Sequence, residues 1–195
     1  MPITIIDYNA GNVQSVLFAL ERLGVAAMLT GDHETIRSAE KVIFPGVGEA
    51  KTTMSYLREQ GLDELIRSLT QPVLGVCLGM QLLCEHSEEN DTPCLGIIPQ
   101  KVMRFQPKEG EKVPHMGWNS IRTLKDGVFT PDLEEEYVYF VHSYFVEVGP
   151  YTTATTDYTQ PFSSGLRKDN FYATQFHPEK SGKVGEAILR NFLAL

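Results

Sequence analysis

The stretch that most limits what this chain can become is Pro72-Val73-Leu74-Gly75-Val76-Cys77-Leu78-Gly79-Met80-Gln81. Its first half is a short apolar run suited to a buried strand, and Met80 to Glu85 continues as good helix formers. Gly75 and Gly79 flank the corner at the spacing G-x-C-x-G. That is the nucleophile-elbow pattern with sulfur in place of the serine oxygen: small neighbours permit a tight, strained turn and leave the side chain exposed above the sheet edge. A thiol at a helix N-terminus meets the macrodipole and free N–H groups, which favour thiolate. The backbone N–H of Leu78 would then face an oxyanion formed beside the sulfur. An arbitrary cysteine is more often a core residue; the two glycines weigh toward a nucleophile without naming its reaction.

The rest of the N-terminal half repeats the strand-to-helix alternation. Ile3 to Asp7 reads as a buried strand, and Asn12 as the N-cap of a helix carrying Val13, Val16, Leu17, Leu20 and Leu23 until Gly24 stops it. A strand near Ala26 to Leu29, a short helix capped by Asp32 and a strand Lys41 to Phe44 follow, then Pro45-Gly46-Val47-Gly48 and helices carrying Met54, Leu57, Leu65 and Ile66. This is the signature of a parallel sheet covered by helices. Glycine on both sides of Val47 lets backbone approach a ligand, so the Val47/Gly48 loop is the expected source of a second oxyanion donor. After the elbow helix, Cys94 to Phe105, Pro114 to Ile121 and Tyr137 to Val148 are strand-like, with turns at Pro107 to Gly110, Lys125-Asp126-Gly127 and Gly149-Pro150. The chain is therefore predicted to be an α/β fold: an open, mostly parallel sheet flanked by helices, with an added antiparallel portion. Tyr137 to Val146 is apolar on both alternating faces, which predicts cover on both sides. Phe171 to His177 reads as another strand, and Ser181 as the cap of a helix with Val184, Ala187, Ile188, Phe192 and Leu195 in one stripe.

Length and charge narrow the function. The 195 residues fit a single domain, residues 1–195, with a substantial core. A net charge of −8 argues against a nucleic-acid backbone as partner. The acidic runs Glu88-Glu89-Asn90-Asp91 and Glu134-Glu135-Glu136 read as solvated surface. Neither G-x-G-x-x-G in the first turn nor G-x-x-x-x-G-K-[ST] is present. Three cysteines, Cys77, Cys84 and Cys94, form no CxxC pair, so neither a disulfide framework nor a zinc ribbon is favoured. No basic leader precedes the first strand, and no apolar run approaches the ~18 residues that span a bilayer. A cytoplasmic protein without a membrane segment is expected.

A cysteine nucleophile needs a base and a group to orient it. Of five histidines, His33 and His86 fall in or beside polar helical stretches, and His115 and His142 read as satisfied core histidines. His177 differs, because Glu179 follows two residues later; in an extended chain the two side chains share a side. Pro178 between them marks the end of a strand, where catalytic groups collect in open α/β sheets.

With Gly75-Val76-Cys77-Leu78-Gly79-Met80-Gln81 and a late His177-Pro178-Glu179, the chain resembles the triad-type class I glutamine amidotransferases. Pro45-Gly46-Val47-Gly48, Pro114-His115-Met116-Gly117-Trp118-Asn119, Phe140-Val141-His142-Ser143-Tyr144 and Gln175 to Ser181 narrow the resemblance to the glutaminase subunits that serve imidazole glycerol phosphate synthase. Asp7 to Asn12 extends it to the N-terminus. The resemblance implies a flavodoxin-like sheet and hydrolysis of glutamine to glutamate and ammonia without metal or organic cofactor. It implies Cys77 as nucleophile, His177 as acid/base and Glu179 as orienter, with Gln81 and the main chain at Gly48, Ser143 and Tyr144 holding glutamine. It also implies a heterodimer with a separate cyclase subunit, a (β/α)8 barrel, with Asn12, Trp118 and Lys180 as contact candidates. The segment Glu49-Ala50-Lys51 lacks the aromatic residue many relatives carry there. The competing readings are a glutaminase subunit for anthranilate or aminodeoxychorismate synthesis, a cysteine peptidase or γ-glutamyl hydrolase, and a non-catalytic binding module.

Overall fold

The first four strands, β1 (Ile3–Ile6), β2 (Ala27–Thr30), β3 (Lys41–Phe44) and β4 (Val73–Val76), pair in parallel in the order β2-β1-β3-β4. The computed structural model describes residues 3–8, 11, 13–125 and 127–195; Asn12 and Asp126, a predicted cap and contact residue and a predicted turn residue, lie outside these. Every residue of β1, β3 and β4 is buried, whereas β2, at the sheet edge, is partly exposed. Alternation along the strands feeds two cores. Val42, Phe44 and Val73 face one side with Met54, Leu57, Leu65 and Ile66 of α3 (Ala50–Glu59) and α4 (Leu62–Ser68). Ile43, Leu74 and Val76 face the other with Val16 and Leu20 of α1 (Val13–Arg22), Ile188 and Phe192 of the C-terminal helix (Gly182–Leu193), and Phe140, Phe162 and Phe176. Helix α1 ends where its sequence said it would: Val25 N–H bonds Leu20 O and Gly24 N–H bonds Glu21 O, a closure that needs the positive φ of Gly24, 76°. Asp32 caps α2 (His33–Ser38) by accepting from Thr35 N–H.

The elbow helix, α5 (Leu78–Leu83), is shorter than its composition predicts, because the chain turns at Cys84 straight into strand β5 (Cys84–Ser87). Helix-forming Glu85 is claimed by a tertiary pairing: β5 runs parallel to β7 (Ile98–Arg104) and antiparallel to β6 (Thr92–Pro93). The expected strand Tyr137 to Val148 is two strands, β9 (Tyr137–His142) and β10 (Tyr144–Val146), broken at Ser143. Strand β9 forms a separate antiparallel pair with β8 (His115–Ser120) and is unevenly covered: Val138, Phe140 and His142 are buried, whereas on the other face Tyr139 and Val141 are half-buried and Tyr137 is 58% exposed. A long hairpin, β11 (Thr152–Tyr158) and β12 (Gln160–Lys168), has no counterpart in the sequence reading. Its strands are rich in Thr, Ser and Gly rather than large apolar residues, so no strong run announces them. In the C-terminal helix, now α6, Ile188 and Phe192 are buried as expected, but Leu195 lies past the helix end and is 45% exposed.

What positions the site is strand β13 (Phe171–Thr174). It runs parallel to β4 and antiparallel to β12, joining the two parts of the sheet in the order β4-β13-β12-β10-β7-β5-β6. Thr174 lies opposite Val76, so the chain leaves β4 and β13 at the same edge. Asn170 pins the other end through bonds from its side-chain nitrogen to Leu69 O and Gln71 O, at 2.9 and 2.8 Å.

Candidate active site

Cys77 occupies the corner with φ 54° and ψ −108°, a conformation that L side chains rarely hold and that surrounding structure must impose. Its N–H bonds Thr174 O of the neighbouring strand at 2.8 Å. The glycines around the elbow serve close approach. A Cβ on Gly79 would lie 2.1 Å from Phe44 O, and one on Gly46 would lie 2.4 Å from Gly79 N, so only glycine lets α5 rest on the loop that follows β3. Tyr8 steadies that loop from the other side, its hydroxyl donating to Pro45 O at 2.5 Å.

His177 and Glu179 leave β13 at the edge where Cys77 leaves β4. His177 Nδ1 and Glu179 Oε1 are 2.7 Å apart, with both side chains nearly inaccessible to solvent, at 2% and 3%. The pairing predicted from sequence is present, but its cause differs. The strand ends at Thr174, and Glu179 sits in a one-turn 3-10 helix, Pro178–Lys180, with His177 at its N-cap. Turn geometry, not strand alternation, brings the carboxylate round. Ser181 is likewise not a side-chain cap: its hydroxyl donates to His177 O at 2.6 Å and accepts from Tyr139 N–H at 3.0 Å. His177 N–H completes the tie by bonding Tyr139 O at 3.0 Å.

His177 Nε2, the ring nitrogen turned away from Glu179, is buried and, among the described residues, has no hydrogen-bond partner beyond the Cys77 side chain beside it. Burial alone would lower the ring's pKa; the sulfur of Cys77 and the carboxylate of Glu179 outweigh it and hold the pKa up at about 10. The imidazole is therefore a charged ring at neutral pH, paired on one side and facing the sulfur on the other.

A cleft of about 370 Å³ opens in front of this pair. Every residue expected to bind substrate, namely Val47, Gly48, Leu78, Gln81, Ser143 and Tyr144, lines it together with Cys77 and His177. It is also lined by Glu89, Pro114, Val141 and His142, which sequence reasoning did not place there. Glu89 belongs to an acidic run read as solvated surface. Instead it accepts from Ala50 N–H at 2.8 Å, and burial raises its pKa. The other residues of both acidic runs are exposed as expected, although Glu88 accepts from Arg104 N–H at 2.6 Å and Glu134 from the N–H groups of Thr123 and Leu124. Glu49, where the aromatic residue is lacking, caps α3 through the N–H groups of Lys51 and Thr52.

The oxyanion donors are not arranged as expected. Leu78 N–H bonds Gly46 O at 3.3 Å, so the oxygen of the Gly46–Val47 peptide meets the donor, and in a planar trans peptide Val47 N–H then points the opposite way. Gln81 is buried and directs its side-chain nitrogen to Tyr144 O at 2.9 Å and to Gln175 Oε1 at 3.0 Å. Gln175, fully buried and not anticipated, places its own nitrogen 3.8 Å from Cys77 Sγ. Its sequence signals were its position two residues before His177 and its place at the start of the Gln175 to Ser181 segment.

Of the contact candidates, Trp118 is 55% exposed on β8, edge-on to Tyr139 at 6.0 Å, and is not a core aromatic. Lys180 is exposed immediately after Glu179. Met116, 66% exposed on the same strand face as Trp118, was not anticipated. His33 and His86 are partly exposed, the latter in strand β5 rather than beside a helix. Among the described residues no group of His, Cys, Asp or Glu has a metal-holding arrangement, and no helix is long and apolar enough to cross a membrane.

Comparison with known proteins identifies the family. The glutamine amidotransferase class-I family model matches residues 4–195. A relative from Bacteroides fragilis (strain YCH46), named imidazole glycerol phosphate synthase subunit HisH, is 60% identical over the whole of both chains. One of the same name from Idiomarina loihiensis is 49% identical over all of this chain and 98% of its own. A solved structure titled as a glutamine amidotransferase superposes with a TM-score of 0.75 at 20% identity, covering 98% of this chain and 97% of that one, which is a likeness of fold. With a family model matched along nearly its whole length, relatives of this similarity, and an elbow cysteine beside a histidine–carboxylate pair, the chain belongs to the class-I glutamine amidotransferases.

Proposed function

We propose that the chain, as one glutaminase unit over residues 1–195, is the subunit of imidazole glycerol phosphate synthase that hydrolyses glutamine to glutamate and ammonia. The ammonia passes to a HisF-type cyclase subunit, a (β/α)8 barrel, which makes imidazole glycerol phosphate and aminoimidazole carboxamide ribotide in histidine biosynthesis. The observation that carries the reading is the convergence of Cys77 with the His177–Glu179 pair, 2.7 Å between its members, at the mouth of one cleft.

Glutamine enters with its side-chain amide at the sulfur. Its α-ammonium group is matched by Glu89, the carboxylate among the cleft-lining residues, and its carboxylate by main-chain donors near Ser143 and Tyr144. Cys77 Sγ attacks the amide carbon, and the charged His177 ring gives its Nε2 proton to the departing nitrogen, which leaves as ammonia. The ring, now neutral, takes a proton from water as that water attacks the thioester, and the thiolate leaves as glutamate forms, which restores the charged ring beside the sulfur. Glu179 holds the ring's orientation and stabilises its charged form throughout.

Both tetrahedral intermediates carry an oxyanion. Rotation of the Gly46–Val47 peptide would free Leu78 N–H and turn Val47 N–H toward the same space. One movement would thus supply two donors, each worth about 3 kcal/mol of barrier. Ala in place of Cys77 should abolish glutamine hydrolysis while ammonia-dependent synthesis by the complex with cyclase persists. Full glutaminase activity in that variant would refute the assignment. Copurification with a chorismate-using enzyme in place of a cyclase would move the chain to one of the other synthases.

A further inference from the structure

One line of hydrogen bonds crosses the molecule from the exposed β8–β9 pair to the nucleophile, and its direction is fixed at every step. Asn119 Oδ1 accepts from Ser120 N–H at 2.8 Å, which turns its side-chain nitrogen to Asp157 O at 2.9 Å and to His115 Nε2 at 3.3 Å. His115 Nδ1 and His142 Nε2 are 3.0 Å apart, and His142 Nδ1 lies 2.7 Å from Tyr144 O. A carbonyl only accepts, so His142 carries hydrogen on Nδ1 and, when neutral, accepts at Nε2. His115 must then donate from Nδ1 and accept from Asn119 at Nε2. Burial lowers the pKa values of His115 and His142 to about 4 and about 3, so both rings are neutral at physiological pH. Aromatic packing holds them in place: His115 stacks between Phe140 at 4.8 Å and Tyr158 at 4.0 Å, and Phe105 lies 5.3 Å from His142.

The line continues past the carbonyl. Tyr144 O takes its second bond from Gln81, whose other N–H goes to Gln175 Oε1, which aims the Gln175 nitrogen at Cys77 Sγ. We propose that the buried His115–His142 imidazole pair is a positioning device: it sets the Tyr144 carbonyl and, through Gln81 and Gln175, the Cys77 sulfur in fixed relation to the strand pair that exposes Met116 and Trp118. A protein docked on that face would thereby act on the nucleophile through a continuous chain of bonds. The proposal rests on the reading of Cys77 as nucleophile and deepens it. A mere packing role would need only the shape of the rings, whereas this role needs their two nitrogens in one polarity.

The test uses the full chain, with two substitutions at one site. In His142→Asn the side-chain nitrogen replaces Nδ1 and keeps the bond to Tyr144 O. In His142→Gln the side-chain oxygen takes the place of Nε2, accepts from His115 Nδ1 and leaves the carbonyl with one bond fewer. Loss of that bond should slow alkylation of Cys77 by iodoacetamide, read by mass on the labelled peptide, by about tenfold in the Gln variant, with the Asn variant within about threefold of wild type. With cyclase added, kcat/KM for glutamine should divide the two variants in the same order while ammonia-dependent synthesis stays level. Equal rates in the two variants at matched thermal midpoints would overturn the proposal. If the Gln variant does not fold, Asn119→Asp serves. It places an acceptor against His115 Nε2, reverses the polarity of the line and should slow alkylation, whereas Asn119→Ala, which only removes the last link, should not; equal rates would again overturn the proposal. Because alkylation needs no substrate, absence of glutamine hydrolysis in wild type would sink the assigned function without deciding this proposal.

Discussion

The sheet has two parts that place different kinds of atom. In the parallel part, β2-β1-β3-β4-β13, backbone pairing brings the segments that carry Cys77 and His177 to one edge, because Thr174 and Val76 are register partners. In the antiparallel part and the separate β8–β9 pair, the cleft wall is built by polar side chains: His142 and Gln81 converge on Tyr144 O, and Ser181 stitches Tyr139 to the His177 turn. The first part brings its two chain exits together through strand pairing and apolar packing, with glycine required where α5 rests on the loop after β3. The second part depends on particular donors and acceptors. The proposed bond-making groups thus rest on strand pairing and close glycine contacts, and the proposed substrate-holding groups on individual hydrogen bonds.

Substitutions can break this contrast or sharpen it. The largest effect is expected from Glu179→Gln, which keeps shape but removes the charge that holds His177 up: kcat for glutamine should fall by about 10³ to 10⁴-fold, with the far-ultraviolet circular dichroism spectrum unchanged. A fall below tenfold would mean that the turn, not the carboxylate, orients the ring. Next is Gly79→Ala, which drives a Cβ to 2.1 Å from Phe44 O; urea unfolding should show a loss of about 3 kcal/mol, because backbone must move. A neutral result would show the parallel part less tightly set than the 2.1 Å approach requires.

A smaller effect is expected from pH. The folded pKa of His177 is about 10 against an ordinary 6.5, so its charge contributes stability fully below about pH 6.5 and loses it as pH rises toward 10. The urea midpoint should therefore fall between pH 7 and 10 in wild type and fall less in His177→Asn; equal slopes would remove the charged ring from the account. Smallest in stability is Trp118→Ala, because the ring is half in solvent: unfolding should change by about 0.5 kcal/mol or less, while affinity for the cyclase, read by calorimetry, should drop. Lys180→Glu should weaken the same complex, and unchanged affinity would remove Lys180 from the contact face.

The parallel part was legible because strands buried on both faces must be written as unbroken apolar runs, as in Lys41-Val42-Ile43-Phe44 and Val73-Leu74-Gly75-Val76. The elbow and the His177–Glu179 pair were legible because residue type and spacing there are demanded by chemistry. The hairpin β11–β12 was not, since Thr, Ser and Gly dominate strands whose neighbours supply the burial. Glu89 was misread for a related reason: a carboxylate's partner here is the N–H of Ala50, 39 residues earlier, and sequence distance hides it.

The sequence by itself determined which groups could react and which segments had to be buried, since both follow from side-chain chemistry and periodicity within a few residues. Only the tertiary structure decided that Leu78 N–H rests on Gly46 O, that Gln175 reaches the sulfur, and that two histidines form one line to Tyr144 O. Those are hydrogen bonds between distant segments, and their existence depends on ångström-scale placement that packing of the whole chain sets.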